Sequence, residues 1–375
     1  MISSLLFMLN DPALQKTLSL ILLIGIGALI RGKIRSKEAL SGIKVMILSV
    51  ALPATIFVAL LKIEVDASML FLPVLALLFN LLMLGICYKG LPYLKGIEKN
   101  SPAHRTLMMM LPSLAPGLSC FPFLVEYMGD EALALAALAD VGNKIYVLIL
   151  LYVLAMHWYV QKKGIQSSGS GRLRSLVGSI IKEPINLVIL LAFVMLGLGI
   201  NLSKLPAFLQ QATGNMTAMM TPLILIFIGL AVKIKRGQFK RMIRLLLFRS
   251  SLAFFISGIL VLLLPGLTPV GIIVLIAFPQ SACSFWPFAH ISAIHQMEEK
   301  DGVKTFDPDL SLGILALSLP FSSILILTIC SLQEVFLNPY WVFACALGML
   351  VLAIFARYLS KPKLVVKASL SAEEG

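Results

Sequence analysis

The sequence predicts an all-α polytopic membrane protein, built from two inverted five-helix repeats plus an eleventh, C-terminal helix. Three observations carry this: apolar runs of membrane length, the placement of the basic residues, and a near-constant spacing between matching segments of the two halves. A helix of about 20 apolar residues spans a bilayer. Of the 375 residues 59% are hydrophobic and 13% charged, and the mean hydropathy is +0.96, too apolar for a soluble globular chain. Eleven such runs lie near 13–30, 42–61, 69–88, 106–128, 132–158, 184–202, 214–232, 245–264, 270–296, 309–330 and 339–357, here spans 1 to 11. Leu, Ile, Ala and Met dominate them, without the period-two alternation of a membrane barrel.

The formal net charge of +13 is a topology signal. All but four of the 31 lysines and arginines fall in the loops after odd-numbered spans, at the span ends bordering them, or in the C-terminal tail; the exceptions are Lys16, Lys62, Lys144 and Lys204. The positive-inside rule puts the N-terminus outside and the C-terminus in the cytoplasm of a plasma (inner) membrane protein. The same placement accounts for the basic patches without nucleic acid. Loop 9–10, with Glu298, Glu299, Asp301, Asp307 and Asp309, is an acidic exception. No cleavable signal peptide is evident.

The repeat is legible in four ordered matches. Asp11-Pro12 with Gly25 and Gly27 matches Glu183-Pro184 with Gly197 and Gly199, 172 residues on. Pro53 in "LPATIFVALLKI" matches Pro222 in "TPLILIFIGLAVKI" at 169, "SCFPF" matches "SFWPF" at 165, and "DEALALAALA" matches "DPDLSLGILA" at 177. Each unit holds five spans, an odd number, so the second copy is inverted, as in many secondary carriers. The domains are then residues 1–160 (first repeat), 161–182 (cytoplasmic linker), 183–331 (second repeat) and 332–375 (extra helix and tail).

Spans 4 and 9 occupy matching places, and both are broken by proline. Span 4 holds Pro112, Ala115, Pro116, Gly117, Leu118, Ser119, Cys120 and Pro122; span 9 holds Pro279, Gln280, Ser281, Cys283, Ser284 and Pro287. A proline removes a helix hydrogen bond and clashes with the preceding turn, at about 3 kcal/mol, and hydrocarbon offers no water to repair the loss. One such proline is most simply a kink. A matched pair favours an anion-binding site, where freed N–H groups and helix starts face a shared space.

Span 5 carries Asp140, Asn143 and Lys144, with the two charged residues four apart on one helix face. Charges at this depth cost roughly 2.5–3.5 kcal/mol on insertion scales and are expected to pair inside the protein. Two roles stay open: a proton or substrate relay, or an ion pair that pins the packing. Their repeat positions are Leu317 and Phe321, so the device belongs to one half. Arg249 at the start of span 8 is expected to snorkel to the cytoplasmic face, and His290 and His295 to be interfacial. Asn80 is expected to bond a neighbouring helix. Walker A, HExxH and GxSxG signatures are absent, so no enzyme and no cofactor is expected.

These residues resemble the auxin efflux carrier family of permeases, within the bile, arsenite and riboflavin transporter superfamily. The resemblance rests on "ILSVALPATIF" in span 2, "PLILIFIGLAVK" in span 7, "FPQSACSFWPFA" with "PDLSLGILALSLP" in spans 9 and 10, and "APGLSCFPF" in span 4, over residues 10–330. It implies scaffold and transport domains, crossing of the broken helices 4 and 9, and export or exchange of small organic anions such as auxins or dicarboxylates. Ala115-Pro116 stands where the family has Asn-Thr, and the eleventh span and acidic loop 9–10 are additions. The expected partners are a small organic anion and the lipid bilayer, with a homodimer left open. A cation-coupled symporter of the bile acid type and a ligand sensor that does not transport are the alternatives.

Overall fold

The computed structural model describes residues 12–34, 36–62, 71–94, 97–163, 184–231 and 239–355. Asp11 and Glu183 of the first repeat match, the linker beyond residue 163, the loop residues Lys233, Lys235 and Arg236, and the basic tail lie outside the described residues.

Span 1 is α1 (Pro12–Ile30). Span 2 comprises α2 (Lys37–Met46), a π-helical turn (Ile47–Ala51) and α3 (Leu52–Lys62). The π turn stands just before Pro53, which cannot donate to its preceding turn; there the Leu52 N–H reaches back to the Ile47 carbonyl, one residue further than in an α-helix. Span 3 is α4 (Phe71–Gly90). Span 4 is split into α5 (Pro102–Met110), α6 (Pro116–Ser119) and the start of α7 (Phe121–Ile145). The helix α7 kinks at Gly129, whose φ of 79° and ψ of −166° belong to a region that is essentially glycine's alone. Beyond the kink, α7 continues as span 5 through a second π turn (Tyr146–Leu150) into α8 (Leu151–Lys163).

Spans 6, 7 and 8 are α9 (Pro184–Gly197), α10 (Ala207–Ala231) and α11 (Phe239–Leu263). Span 9 is split into α12 (Pro269–Ala277), a 3-10 turn (Phe278–Gln280) and α13 (Phe285–Asp301). Then follow α14 (Pro308–Ser331), the short α15 (Gln333–Phe336) and α16 (Pro339–Phe355), which is span 11. Among the described residues, six helical stretches are long and apolar enough to cross a membrane, and shorter apolar helices include Leu187–Gly197, Pro269–Gln280 and Pro339–Phe355. The chain is a multi-pass membrane protein, helical throughout its regular structure among the described residues.

Glycine sets the closest helix approaches. Helix α1 packs along α10, and α9 along α3. At the first crossing a Cβ on Gly27 would run into the Ile226 carbonyl, and one on Gly229 into the Ile24 carbonyl. Helix α4 packs along α7, with Gly142 against the backbone of Pro73. The eleventh span lies along α11 in the most extensive helix pair of the described fold, held by the Ser251 hydroxyl donating to the Ala346 carbonyl (2.7 Å) and by Phe343 against Gly258.

Two acidic residues of loop 9–10 serve local structure. The buried Glu298 accepts the Thr305 N–H (2.6 Å), and Asp307 caps α14 by accepting the Leu310 N–H (3.0 Å).

Candidate functional site

Each broken span stops where proline makes it stop. Helix α5 ends before Pro112, and the Ser113 hydroxyl donates to the Met110 carbonyl (2.7 Å). Helix α12 passes into a 3-10 turn around Pro279, and the chain is extended again at Ser281. In between, the two extended segments meet. The Ala115 N–H donates to the Ala282 carbonyl (2.7 Å), the one strand-like bridge among the described residues.

Three further backbone donors at the crossing go to serines. Ala282 N–H reaches Ser119 Oγ (2.9 Å), Cys283 N–H reaches Ser318 Oγ (3.1 Å) and Ser284 N–H reaches Ser113 Oγ (3.0 Å). Ser284 in turn caps α13 through the Trp286 N–H (3.3 Å). These N–H groups are thus satisfied within the protein, as hydrocarbon depth requires, and are not the free anion donors expected from the sequence.

Arg249 corrects a second expectation. It is 1% exposed rather than snorkelling, and its Nε donates to the Leu111 carbonyl (2.7 Å). Its Nη2 donates to the carbonyls of Ser113 (3.3 Å) and Ser281 (2.7 Å). Next to it, the Ser250 carbonyl accepts from the Gln280 side-chain amide (3.1 Å). Helix α11 therefore binds both breaks. The nearest sequence signal is position: Arg249 lies two turns and more inside α11, apart from Arg241 and Arg244.

Span 5 supplies the polar wall. The Asn143 amide donates to the Leu114 carbonyl (3.0 Å) and to Asp140 Oδ1 (2.8 Å), and its Oδ1 accepts from Asn80 (3.2 Å), the inter-helix bond expected of Asn80. Lys144 Nζ stands 3.5 Å from Asp140 Oδ2, with both side chains buried. His290 is buried rather than interfacial, and its Nε2 lies 3.0 Å from the Val147 carbonyl within the π turn.

A cavity of about 360 Å³ opens beside the crossing. Ala115, Pro116, Gly117, Leu118, Asp140, Asn143, Lys144, Cys283 and Ser284 line it, as do Lys44, Phe227, Phe285 and Trp286, which sequence reasoning had not placed there. Lys44 Nζ sits 4.5 Å above the Phe285 ring, a cation–π contact. Ser119, Cys120, Pro122, Gln280, Ser281 and Pro287 do not line it; the serines and Gln280 bind backbone instead. Pro279 lines a second cavity, also about 360 Å³, that is mostly apolar and includes Glu131 and Thr268. Along span 5 this second cavity uses Glu131, Leu135 and Ala139, whereas the first uses Asp140 to Val147. Along span 9 it uses Val274 to Pro279, and the first uses Ala282 to Trp286. The cavities therefore lie on opposite sides of the crossing, and Leu114 borders both.

No protein-family profile matches the chain. It is similar to an uncharacterized transporter of Methanocaldococcus jannaschii, at 23% identity over 198 residues, 52% of this chain. The chain spans about 60% of the length of that relative.

Proposed function

We propose that the chain is a secondary carrier for a small organic anion, of the auxin efflux carrier type, moving its substrate past the crossing of spans 4 and 9. The observation that carries this is a pair of cavities on either side of the crossing, one of which sets Lys44 and Lys144 against the single carboxylate of Asp140. That excess of basic groups beside apolar and aromatic walls suits a carboxylate with an organic body. The transporter relative points the same way.

An inverted repeat has support in the packing. Span 1 lies on span 7 and span 6 on span 2, which a two-fold exchange of the halves turns into one another. Helix α5 of span 4 likewise meets α14 of span 10, while α13 of span 9 meets α8 of span 5. Ala115 and Ala282 are 167 residues apart, within the spread of the four sequence offsets. The carrier sits in the plasma (inner) membrane with its N-terminus outside, and the Asp140–Lys144 pair controls charge during the cycle.

Counterflow in proteoliposomes tests the proposal. Vesicles loaded with unlabelled succinate or indole-3-acetate are diluted into trace label of the same acid, with protein-free vesicles as the control. Transient accumulation of at least one label above the control is expected. An acid that raises the melting temperature of the purified protein yet shows no counterflow identifies a sensor instead.

A further inference from the structure

We infer that Arg249 is a tethered cation that joins the two broken backbones, so that the crossing holds together without a bound metal ion. A helix that stops leaves carbonyls without partners and presents the negative end of its dipole. Here two such ends face each other, that of α5 at Leu111 and Ser113 and that of the 3-10 turn at Ser281. Carbonyls gathered in this way, at a depth without water, need a positive charge between them. The guanidinium supplies it, donating to all three carbonyls from Nε and Nη2.

The coordination is that of a cation among carbonyls rather than that of a salt bridge. Among the described residues no carboxylate pairs with Arg249, and Cys87 and Cys283 are the thiols near it. A guanidinium suits the place, because its donors form a rigid planar fork and it is more weakly hydrated than an ammonium. Its carrier helix is steadied from behind. Ser251, two residues on, bonds the backbone of α16 at Ala346, which gives the eleventh span a role: it backs the helix that bears the charge.

The inference does not rest on the transport proposal, since its readout is thermal unfolding of the full-length protein in detergent. Wild type is melted at constant ionic strength in sodium chloride, potassium chloride and choline chloride. Arg249→Lys keeps a charge and Arg249→Met keeps the apolar stem. Equal melting temperatures for wild type in the three salts are expected, with Arg249→Met several degrees lower and Arg249→Lys clearly above Arg249→Met. A saturable rise of the wild-type melting temperature with sodium or potassium over choline overturns the inference. So does Arg249→Met melting at or above Arg249→Lys, because then packing and not charge holds the site. Should neither variant fold, the wild-type salt series decides alone: a flat series supports the inference and a saturable one refutes it.

Discussion

Ala115 and Ala282, 167 residues apart in the chain, are joined backbone to backbone by a 2.7 Å hydrogen bond. In hydrocarbon each unpaired backbone group costs several kcal/mol, so two interrupted helices are stable at this depth only if each satisfies the other. The Ala282 N–H completes the exchange through Ser119 Oγ. Replacing Ser119 by Ala leaves that buried donor unpaired, at about 1–3 kcal/mol. A lower melting temperature is expected for Ser119→Ala, and a smaller loss for Ser119→Thr, which keeps the hydroxyl. Equal stability of Ser119→Ala and wild type would show that the donor has another outlet.

Gly129 holds the turn from span 4 into span 5. Its φ of 79° with ψ of −166° is closed to a residue with a Cβ, although nothing crowds the position itself. Gly129→Ala is expected to destabilise through backbone strain of order 1–3 kcal/mol. Thermal unfolding measures it, and an unaffected variant would mean that the kink relaxes freely.

Close packing, not conformation, explains Gly142. A Cβ there collides with the backbone of Pro73 on α4, which cannot move aside as a flexible side chain can. Gly142→Ala is expected to push α4 from α7 and cost about 1–3 kcal/mol, the usual range for an overpacked core. Gly25, which has open space around it, is the control: Gly25→Ala should leave the melting temperature unchanged or slightly raised.

Asp140 and Lys144 are expected to behave as a coupled pair. Removing either partner leaves a buried charge, whereas removing both leaves none. Asp140→Asn and Lys144→Met should each lower stability, and the double variant should lose less than their sum by about 0.5–3 kcal/mol. Counterflow should fail in all three. Normal transport in the double variant would assign the pair to packing alone.

Much of this architecture can be read from composition, because span length and proline are local signals. Pro112, Pro116, Pro279 and Pro287 mark the interruptions before any contact is known. What they do not reveal is how the freed groups are spent. Arg249 meets Leu111 and Ser113 across more than 130 residues, and a basic residue near the start of an apolar run looks the same whether it snorkels outward or turns in. Lys44 is similar: it counts among the loop charges, yet lines the cavity. Glu298 and Asp307 look like an anomaly of charge placement until their backbone partners are seen. Gly129 falls between the fourth and fifth apolar runs, directly before Asp130 and Glu131, so a turn is legible there, but its positive φ inside a continuous helix is not.

Leu114 offers the most direct measurement of the central claim, since it borders the cavities on both sides of the crossing. Leu114→Cys in a background with Cys87, Cys120, Cys283, Cys330 and Cys345 replaced can be probed in sealed vesicles with a membrane-impermeant thiol reagent added from either side. A carrier that alternates access predicts labelling from both sides, with substrate changing the ratio of the two rates. Labelling from one side only, unaltered by any acid that the protein binds, would contradict it.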